Sequence, residues 1–485
     1  MANIQCPLNA AAYAWSDRPA IISGERMISY GEYEALVAST AFALKTRGVM
    51  PGQRVAIISK NDLGLLVLLL AIPRVGAVSF PISPRLPGQV LQSILKRVRA
   101  SVVIDPENRL PRKGSSETGR IDPGSLFAAA TSSTSTSGDE VTLDLDDEAT
   151  IILTSGSTAL PKAALHSWGN HYYNALGSNK NLPIEPGHGW LLSLPLYHVG
   201  GLGILFRTIL GGGTLVLPEQ GETIHAAVER YAVTHLSLVS TQVFRLLNQG
   251  LSDQAVGRLR ALLLGGGPVS STLITRAVNR GLPLCTTYGL TEMASQVTTT
   301  VPGDAGDRLF SSGKILEYRR LRIEDGAIFV KGRTLFRGYV EEQGIERPFD
   351  DKGWFKTGDM GRMDRKGYLT FLGRQDNMFI SGGENIQPEE IEGALCAMLD
   401  ITQAVVVPVE DEEFGFRPVA FVRTPSGVHL DQEDLICQLE RDLPRFKIPE
   451  AFLPWPEEAD ERGLKPDRTY LTTLAGELQP TRLNK

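Results

Sequence analysis

The stretch that decides the fold is residues 154–162, TSGSTALPK. It follows the apolar run at residues 151–153, which predicts the end of a buried strand. Its four hydroxyl side chains and the N–H groups beside Gly156 donate hydrogen bonds, and Lys162 adds a mobile positive charge. The pattern therefore predicts a polyphosphate-binding loop, with a Ser/Thr-rich surface turn as the alternative. An ordinary P-loop is disfavoured, because no second glycine precedes Lys162.

The composition excludes several classes of protein. The chain has 485 residues, 42% of them hydrophobic and 21% charged, which is typical of a globular protein of two to four domains. A net charge of −6 lacks the basic excess of a nucleic-acid binder, so no nucleic-acid partner is expected. The four cysteines are scattered without a C-x-x-C pair, which predicts free thiols in a reducing compartment.

No targeting or membrane segment is predicted. The first 15 residues have neither a basic start nor an apolar core of the kind that a secretory leader carries. The longest apolar stretch, residues 63–72, is too short to span a bilayer. These features predict a cytoplasmic protein.

The order of apolar segments predicts an α/β fold, α+β overall. Residues 17–104 alternate between strand-like and helix-like patterns, which indicates βαβ units and parallel sheets. Beyond residue 310 short strands with many turns predict a β-rich subdomain, and a smaller α+β unit follows from about residue 376. The chain is therefore divided into a large N-terminal domain, 1–375, and a small C-terminal domain, 376–485.

Further short motifs follow the candidate phosphate loop in a fixed order. In each of them, residues of a type that binds ligands or takes part in reactions stand beside a turn or a glycine. The motifs are LPLYHVGG at 194–201, GGG at 265–267, YGLTE at 288–292, TGD at 357–359, GRQD at 373–376, SGGENIQPEEIE at 381–392 and GLKPDR at 463–468. Any one of them is weak, but the ordered set is specific.

Together these motifs resemble the adenylate-forming superfamily, which includes acyl- and aryl-CoA synthetases, adenylation domains and luciferases. The resemblance spans nearly the whole chain. Within the superfamily the chain is most similar to the o-succinylbenzoate–CoA ligases of menaquinone and phylloquinone synthesis. The segments that carry this similarity are LPLYHVGGLG at 194–203, followed by Phe206 and Arg207, SGGENIQPEEIE at 381–392 and VVPVEDEEFGFRP at 406–418.

The resemblance implies a two-step reaction that uses ATP, Mg²⁺ and coenzyme A. It implies that Tyr288 stacks on adenine, that Asp359 accepts the ribose hydroxyls and that Glu292 holds the metal ion. The implied ATP- and AMP-binding residues are Thr154, Ser155, Gly156, Ser157, Thr158, Lys162, Gly266, Tyr288, Gly289, Thr291, Asp359 and Arg374.

The resemblance also implies a mobile C-terminal domain that carries a catalytic lysine. Lys465, three residues before Arg468, matches that lysine, and Asp376 falls at the hinge about which the domain rotates. Taken alone, Lys465 is more typical of a solvated turn, and it is the K-x-x-R pattern with Arg468 close to the end of the chain that favours the catalytic role.

The acid pocket is predicted around His198, Arg207, Gly265 and Ser295. o-Succinylbenzoate has two carboxylates, and Arg207 is the candidate partner of the one that does not react. The alternatives are a solvated helix face for Arg207 and a packing or gating role for His198, which the prediction also counts among the catalytic residues.

One departure and several rivals remain. The family's loop usually has glycine where this chain has Ala159, and an alanine at positive φ costs about 1 kcal/mol. The rivals are another acyl- or aryl-CoA synthetase, a stand-alone adenylation enzyme that loads a carrier protein, and a nucleotide-binding sensor without ligase activity. A homodimer is an open expectation, because dimers are frequent in the family.

Overall fold

Two large sheets organise the molecule. The computed structural model describes residues 3–110, 119–126, 140–154, 161–267, 269, 271–398, 400–411, 413–425, 431–460 and 466–478. The first sheet has nine strands, in the spatial order Lys314–Ile315, Ser295–Thr299, Leu284–Leu290, Ala261–Leu264, His235–Leu238, Gly189–Leu191, Thr214–Val216, Pro19–Ser23 and Arg26–Ser29. Its inner pairs are parallel and its edges are antiparallel hairpins.

The second large sheet has eight strands and is also mixed. Its order is Gly344–Glu346, Gly338–Glu341, Lys162–Ser167, Glu148–Thr154, Val78–Ile82, Arg54–Ile58, Val102–Ile104 and Gly119–Arg120. The predicted parallel pairing is confirmed for the inner strands. The candidate phosphate loop instead joins an antiparallel pair, in which Thr154 lies opposite Lys162.

The α-helices of the described residues cover and separate these sheets. Their bounds are Pro7–Trp15, Tyr30–Thr46, Leu63–Arg74, Gly88–Val98, Trp168–Asn181, Val199–Gly211, Ile224–Arg230, Ser240–Gln249, Asp253–Arg258, Ser271–Asn279, Pro388–Cys396, Gln432–Leu439 and Arg468–Leu478. Local capping fixes where several begin. The Asp62 carboxylate accepts from the N–H of Leu65 at 2.6 Å, and Ser167 forms a capping box with Asn170.

The main hydrophobic core lies between the two large sheets. The helix Leu63–Arg74 is apolar on nearly every face and is buried from Leu65 to Pro73, as expected of a helix enclosed on all sides. In the same core Trp168 meets Phe206 edge to face, with ring centroids 5.8 Å apart. The helix Val199–Gly211 is thereby fixed with Arg207 facing inward.

The predicted β-rich subdomain is confirmed as a four-stranded antiparallel sheet. Its order is Arg319–Glu324, Ala327–Gly332, Phe355–Met363 and Leu369–Arg374. The short 3₁₀ turn Gln375–Asn377 follows directly.

The C-terminal part has its own sheets and cores. A hairpin pairs Phe379–Ser381 with Glu384–Ile386, and a three-stranded sheet runs Gln403–Asp411, Gly415–Arg423, Ala451–Pro454. Hydrophobic clusters cover the two faces of that sheet. The fold is therefore mixed α/β, with a large N-terminal and a smaller C-terminal part.

The predicted free thiols are confirmed, since Cys6, Cys285, Cys396 and Cys437 form no disulfide. Within the described ranges, no helix combines the length and the apolar character that a bilayer crossing requires.

Candidate active site

The candidate site lies where the inner strands of the nine-stranded sheet end. Parallel strands place their carboxyl ends at one edge, and ligands of α/β proteins bind there. His198 follows the strand Gly189–Leu191, Gly265 and Gly266 follow Ala261–Leu264, and Thr291 follows Leu284–Leu290. Residues that lie far apart in the chain are thus gathered at one edge.

One β-hairpin carries five of the predicted residues. Its strands Leu284–Leu290 and Ser295–Thr299 are joined through the 3₁₀ turn Thr291–Met293, and they hold Tyr288, Gly289, Thr291, Glu292 and Ser295. Gly289 is required by close packing, because a Cβ there would lie 2.3 Å from the carbonyl oxygen of Ser295.

The hairpin turn is strained next to Glu292. Ala294 has φ 55° and Ser295 has φ 137°, which are left-handed conformations that residues with a side chain rarely adopt. Such strain costs about 1–3 kcal/mol and persists only where surrounding contacts hold it. The strain is therefore a reason to examine this turn as a candidate functional segment.

Glu292 is partly buried and held from two directions. The phenol of Tyr339 donates to its Oε1 at 2.6 Å, and the N–H of Phe336 donates to its backbone carbonyl at 2.8 Å. Burial raises the pKa of the Glu292 carboxyl, and the Tyr339 hydrogen bond opposes that rise. Burial also raises the pKa of Tyr339 far above its usual range, so its phenol remains a donor.

Lys162 begins the strand Lys162–Ser167 and faces the same tyrosine. Its ammonium lies over the Tyr339 ring, 4.7 Å from the centroid. On the same strand, Nε2 of His166 is 2.7 Å from the carbonyl oxygen of Thr291. The strand that leaves the candidate phosphate loop is therefore joined to the Glu292 turn at both ends. Of the loop itself, Ser155, Gly156, Ser157, Thr158 and Ala159 lie outside the described residues, whereas Thr154 lies within them.

Tyr288 and Asp359 are buried and form a connected group with the half-exposed Arg374. The Tyr288 phenol donates to Oδ2 of Asp359 at 2.6 Å, and Nη1 of Arg374 pairs with Oδ1 at 3.1 Å. Phe371 covers one face of the Tyr288 ring, with centroids 5.9 Å apart. Burial raises the pKa of Tyr288 well above its usual value, and the charge of Asp359 adds to the effect. The group joins the hairpin to the four-stranded sheet.

Arg374 also reaches the predicted hinge. Its Nη2 pairs with Oδ2 of Asp376 at 3.0 Å, and its carbonyl accepts from the amide of Gln387 at 2.9 Å. Burial lowers the pKa of Arg374, but Asp359 and Asp376 outweigh burial, so the net shift is upward. The end of the β-rich sheet is thereby tied to the segment that follows.

Arg207 is a buried cation that no described acidic side chain neutralises. It is 1% exposed, and its only side-chain hydrogen bond in the described structure runs from Nη2 to Oγ of Ser295, at 3.3 Å. Among the described residues its Nε has no hydrogen-bond partner, and its guanidinium lies over Trp190, 5.3 Å from the ring centroid. Burial lowers the pKa of Arg207 to about 9. Because an unpaired buried charge is costly, this arrangement favours an anionic ligand.

The helix Val199–Gly211 makes room for Arg207. Its guanidinium folds back over Gly203, where a Cβ would lie 2.9 Å from Nη2. His198 precedes this helix, is exposed and meets the ring of Tyr197 at 5.0 Å. Two of the predicted pocket residues, Arg207 and Ser295, are therefore in contact, while His198 lies at the N-terminal end of the helix.

A second buried guanidinium, Arg319, clamps the strained turn. It donates to the carbonyls of Gln296 at 2.8 Å, Glu317 at 2.7 Å and Asn174 at 2.9 Å. The Asn174 amide in turn donates to the carbonyls of Met293 and Gln296. Burial lowers the pKa of Arg319 to about 9, and the charge of Arg207 contributes.

Lys465 lies outside the described residues, but Arg468 lies within them. Arg468 pairs with the buried Glu392 at 2.6 Å and donates to the carbonyl of Val406 at 2.7 Å. The start of the helix Arg468–Leu478 is thereby anchored to the helix Pro388–Cys396.

Sequence reasoning missed Tyr339, Asn174 and Arg319. Each lies in an ordinary helical or strand pattern, and no glycine turn or charge cluster distinguishes it. Tyr339 lies in a short strand pattern, and its partner Glu292 is 47 residues away in sequence.

The residues present fit a magnesium ion. Within the described ranges no three His, Cys, Asp or Glu side chains form a metal-binding group, so a cage built from protein alone is not found there. Mg²⁺ bound with nucleotides needs only one or two carboxylates, and Glu292 supplies one.

Comparison with known proteins defines the class. A family model for AMP-binding enzymes matches residues 8–340, and the AMP-binding enzyme C-terminal domain matches residues 390–459. The chain belongs to the AMP-binding enzyme family.

The more specific similarities agree with one another. The 2-succinylbenzoate–CoA ligase of Bacillus licheniformis is 31% identical over 449 residues, which are 90% of this chain and 92% of that protein. The o-succinylbenzoate CoA synthetase (MenE) of Bacillus subtilis in complex with the acyl-adenylate OSB-AMP superimposes with a TM-score of 0.84 at 28% identity, covering 97% of this chain and 98% of that one. The same synthetase with ATP and magnesium gives 0.82 at 28% identity, covering 93% and 96%.

Proposed function

We propose that this chain is an ATP-dependent o-succinylbenzoate–CoA ligase that acts in menaquinone or phylloquinone synthesis. The observation that carries the proposal is Arg207, a fully buried cation without a described carboxylate partner, in contact with Ser295 three residues after Glu292. A substrate with a second carboxylate supplies the missing anion. The named relatives, which align along 90% of the chain or more, support the same acid.

The reaction proceeds in two displacements. In the first, a carboxylate oxygen of 2-succinylbenzoate attacks the α-phosphorus of ATP, the bond to the β-phosphate oxygen breaks, and pyrophosphate leaves. In the second, the thiol sulfur of coenzyme A attacks the acyl carbon, the thiol proton is lost, and AMP leaves. The products are 2-succinylbenzoyl-CoA, AMP and pyrophosphate. The first step gathers negative charge on phosphate oxygens, so fixed donors and cations stabilise it.

The nucleotide is held by residues from three sheets. Thr154, Ser155, Gly156, Ser157, Thr158 and Lys162 bind the β- and γ-phosphates, and Thr291 lies near the α-phosphate. Tyr288, Gly289 and Gly266 line the adenine site. Asp359, supported by Arg374, accepts the ribose hydroxyls. Oδ2 of Asp359 accepts from Tyr288 and Oδ1 accepts from Arg374, and a carboxylate accepts about four hydrogen bonds in all.

Magnesium would be held by Glu292 together with phosphate oxygens, where it neutralises phosphate charge. The acid lies between Arg207, Ser295, Gly265 and His198, with its unreacting carboxylate on Arg207. Trp190, which stacks under the Arg207 guanidinium, closes that end of the pocket.

The C-terminal residues serve both half-reactions. We place the domain boundary between residues 375 and 376, so that 1–375 binds ATP and 376–485 carries Lys465. Lys465 supplies positive charge at the α-phosphate during adenylation. Rotation about Asp376 then withdraws the lysine and presents another face to coenzyme A. The Arg374–Asp376 pair at this position supports a hinge here.

Acid-dependent exchange of pyrophosphate into ATP, without coenzyme A, tests the function. We expect exchange with 2-succinylbenzoate and none with benzoate, a medium-chain fatty acid or amino acids. Exchange with another acid alone would keep the class of enzyme and refute the assignment of Arg207. Absence of exchange with every acid would favour a nucleotide-binding sensor.

Two secondary proposals accompany the function. A cytoplasmic location is proposed because the substrates are water-soluble, and fractionation of cells tests it. A homodimer is proposed because dimers are frequent in the family that the chain resembles, and sedimentation velocity tests it.

A further inference from the structure

One tyrosine contacts two groups that bind different parts of MgATP. The Tyr339 phenol donates to Oε1 of Glu292 at 2.6 Å, and the Lys162 ammonium lies 4.7 Å from the centroid of its ring. We propose that Tyr339 is a positioning residue that aims the Glu292 carboxylate at the divalent cation and holds the Lys162 ammonium beside the phosphates. The proposal rests on the function proposed above, because it takes MgATP as the substrate.

The surroundings of Tyr339 keep its ring in one place. Its strand, Gly338–Glu341, is an inner strand of the eight-stranded sheet, and Tyr339 lies opposite Ala164 on one side and Glu346 on the other. The side chain is 5% exposed, and Phe336 packs against it edge to face with centroids 4.8 Å apart. The phenol and the ring face therefore have fixed directions.

A fixed phenol restricts the carboxylate of Glu292. The turn that carries Glu292 is already held through its backbone by Phe336 and His166. The phenol engages Oε1, and because a carboxylate accepts about four hydrogen bonds, the Glu292 carboxylate keeps capacity for a metal ion. Partners behind a metal ligand fix its orientation, and their loss typically weakens metal binding about 10- to 100-fold.

The ring face restricts Lys162. A lysine side chain loses about 2 kcal/mol of rotamer entropy when it is held in one place. The electron-rich face of a tyrosine attracts the ammonium and lowers that cost. Lys162 is paired with Thr154 at the two ends of the candidate phosphate loop, so a lysine held there lies at the loop's base.

A second tyrosine provides a matched control. Tyr368 is likewise buried and has a lysine ammonium over its ring, that of Lys314 at 4.9 Å. Its side chain has no carboxylate hydrogen bond in the described structure. Tyr368→Phe therefore removes the hydroxyl of a buried tyrosine without touching the candidate metal ligand.

Binding of Mn²⁺ in the presence of ATP, without any acid, tests the metal half of the proposal. Free Mn²⁺ is followed by electron paramagnetic resonance. We expect Tyr339→Phe to weaken Mn²⁺ binding about tenfold, and Tyr368→Phe to change it less than twofold. Equal or tighter binding in Tyr339→Phe overturns the proposal. If the wild-type protein itself shows no ATP-dependent Mn²⁺ binding, the proposed function fails instead.

One more variant, Tyr339→Leu, separates the role of the phenol from that of the ring. Binding of ATP with the metal removed by EDTA should be nearly unchanged in Tyr339→Phe, which keeps the ring, and about fivefold weaker in Tyr339→Leu. Equal ATP affinity in both variants overturns the role assigned to the ring.

A double variant guards against misfolding. If Tyr339→Phe alone fails to fold, Glu292→Gln combined with Tyr339→Phe removes the buried carboxylate that lost its donor. The double variant should bind Mn²⁺ as Glu292→Gln alone does, because the phenol acts through that carboxylate. Weaker binding in the double variant contradicts the proposal.

Discussion

Arg374 and Asp376 form an ion pair across the short turn that follows the β-rich sheet, with Nη2 and Oδ2 3.0 Å apart. The same guanidinium pairs with the buried Asp359, so the candidate ribose site and the candidate hinge share one cation. Because Asp376 is 56% exposed and Asp359 is 6% exposed, Asp359 is the firmly held partner and Asp376 the one that can be released. A change of domain orientation can therefore begin by breaking the pair of Arg374 with Asp376 while its pair with Asp359 stays intact.

Asp376→Ala should shift the balance between the two half-reactions without destabilising the fold. An exposed ion pair is worth about 0–1 kcal/mol, and 1 kcal/mol changes an equilibrium about fivefold. We expect adenylation and coenzyme A transfer to change in opposite directions, by up to about fivefold in their ratio. Pyrophosphate exchange measures the first, and thioester formation from supplied acyl-adenylate measures the second.

Asp253→Ala is the matched control for that experiment. It removes a more exposed pair with Arg280, 3.0 Å long, outside the site. It should leave the ratio unchanged. Equal effects of Asp376→Ala on both half-reactions would argue against a hinge at this residue.

Arg207→Met should abolish acid binding and stabilise the free protein. Loss of a buried charge partner costs about 2–5 kcal/mol of binding, so the KM for 2-succinylbenzoate should rise at least about 30-fold while the KM for ATP changes less than twofold. Removal of an unneutralised buried guanidinium should raise the free energy of unfolding by about 1–3 kcal/mol. Steady-state kinetics and urea denaturation check the two effects.

Arg207→Lys is the informative companion variant. It keeps the charge and loses the second hydrogen-bonding arm, so we expect an intermediate KM and little gain in stability. A stability loss in Arg207→Met would mean that Arg207 serves the packing around Trp190 rather than an anionic ligand.

Buried histidines should make the fold sensitive to mild acid. Burial lowers the pKa of His235 to about 4, and the charges of His188 and Arg260 add to the effect. The unfolded chain binds this proton at a pKa of about 6.5, so stability is retained above that pH and is lost as pH falls toward 4. At pH 4.5 the contribution of His235 is a loss of about 2 kcal/mol.

Urea unfolding of the wild type and of His235→Gln between pH 7 and 4.5 isolates that contribution. The two stability curves should converge as pH falls, because only the wild type has an imidazole at position 235 that takes up a proton on unfolding. Parallel curves would refute the assignment. His166, whose pKa burial also lowers to about 4, should behave in the same way.

The sequence predicted the parts of the site whose chemistry lies within one short segment. Glu292 and Tyr288 come from a single five-residue motif, and the structure places both on one hairpin. Tyr339 and Arg319 could not be predicted, because their roles depend on strand register and on which buried faces meet. The antiparallel pairing of Thr154 with Lys162 was missed for a related reason, since it depends on which strands become neighbours in the sheet.

Arg207 and Lys465 are two further residues whose role is not determined by a local sequence pattern. The choice between a solvated helix face and an inward-facing Arg207 depended on the burial of the whole helix Val199–Gly211, which no local pattern specifies. For Lys465 the choice still rests on sequence position, because it lies outside the described residues.

Lys465→Ala should separate the two half-reactions most clearly. A lysine at the α-phosphate acts only while pyrophosphate leaves, and loss of one such charged donor typically costs about 10²–10³ in rate. We expect pyrophosphate exchange to fall by that factor, while coenzyme A transfer from supplied acyl-adenylate changes less than about threefold. Lys447→Ala, which removes a C-terminal lysine paired with Glu390, is the control and should leave exchange intact. Equal losses in both half-reactions of Lys465→Ala would contradict the catalytic role, because a residue withdrawn before the second step cannot slow it.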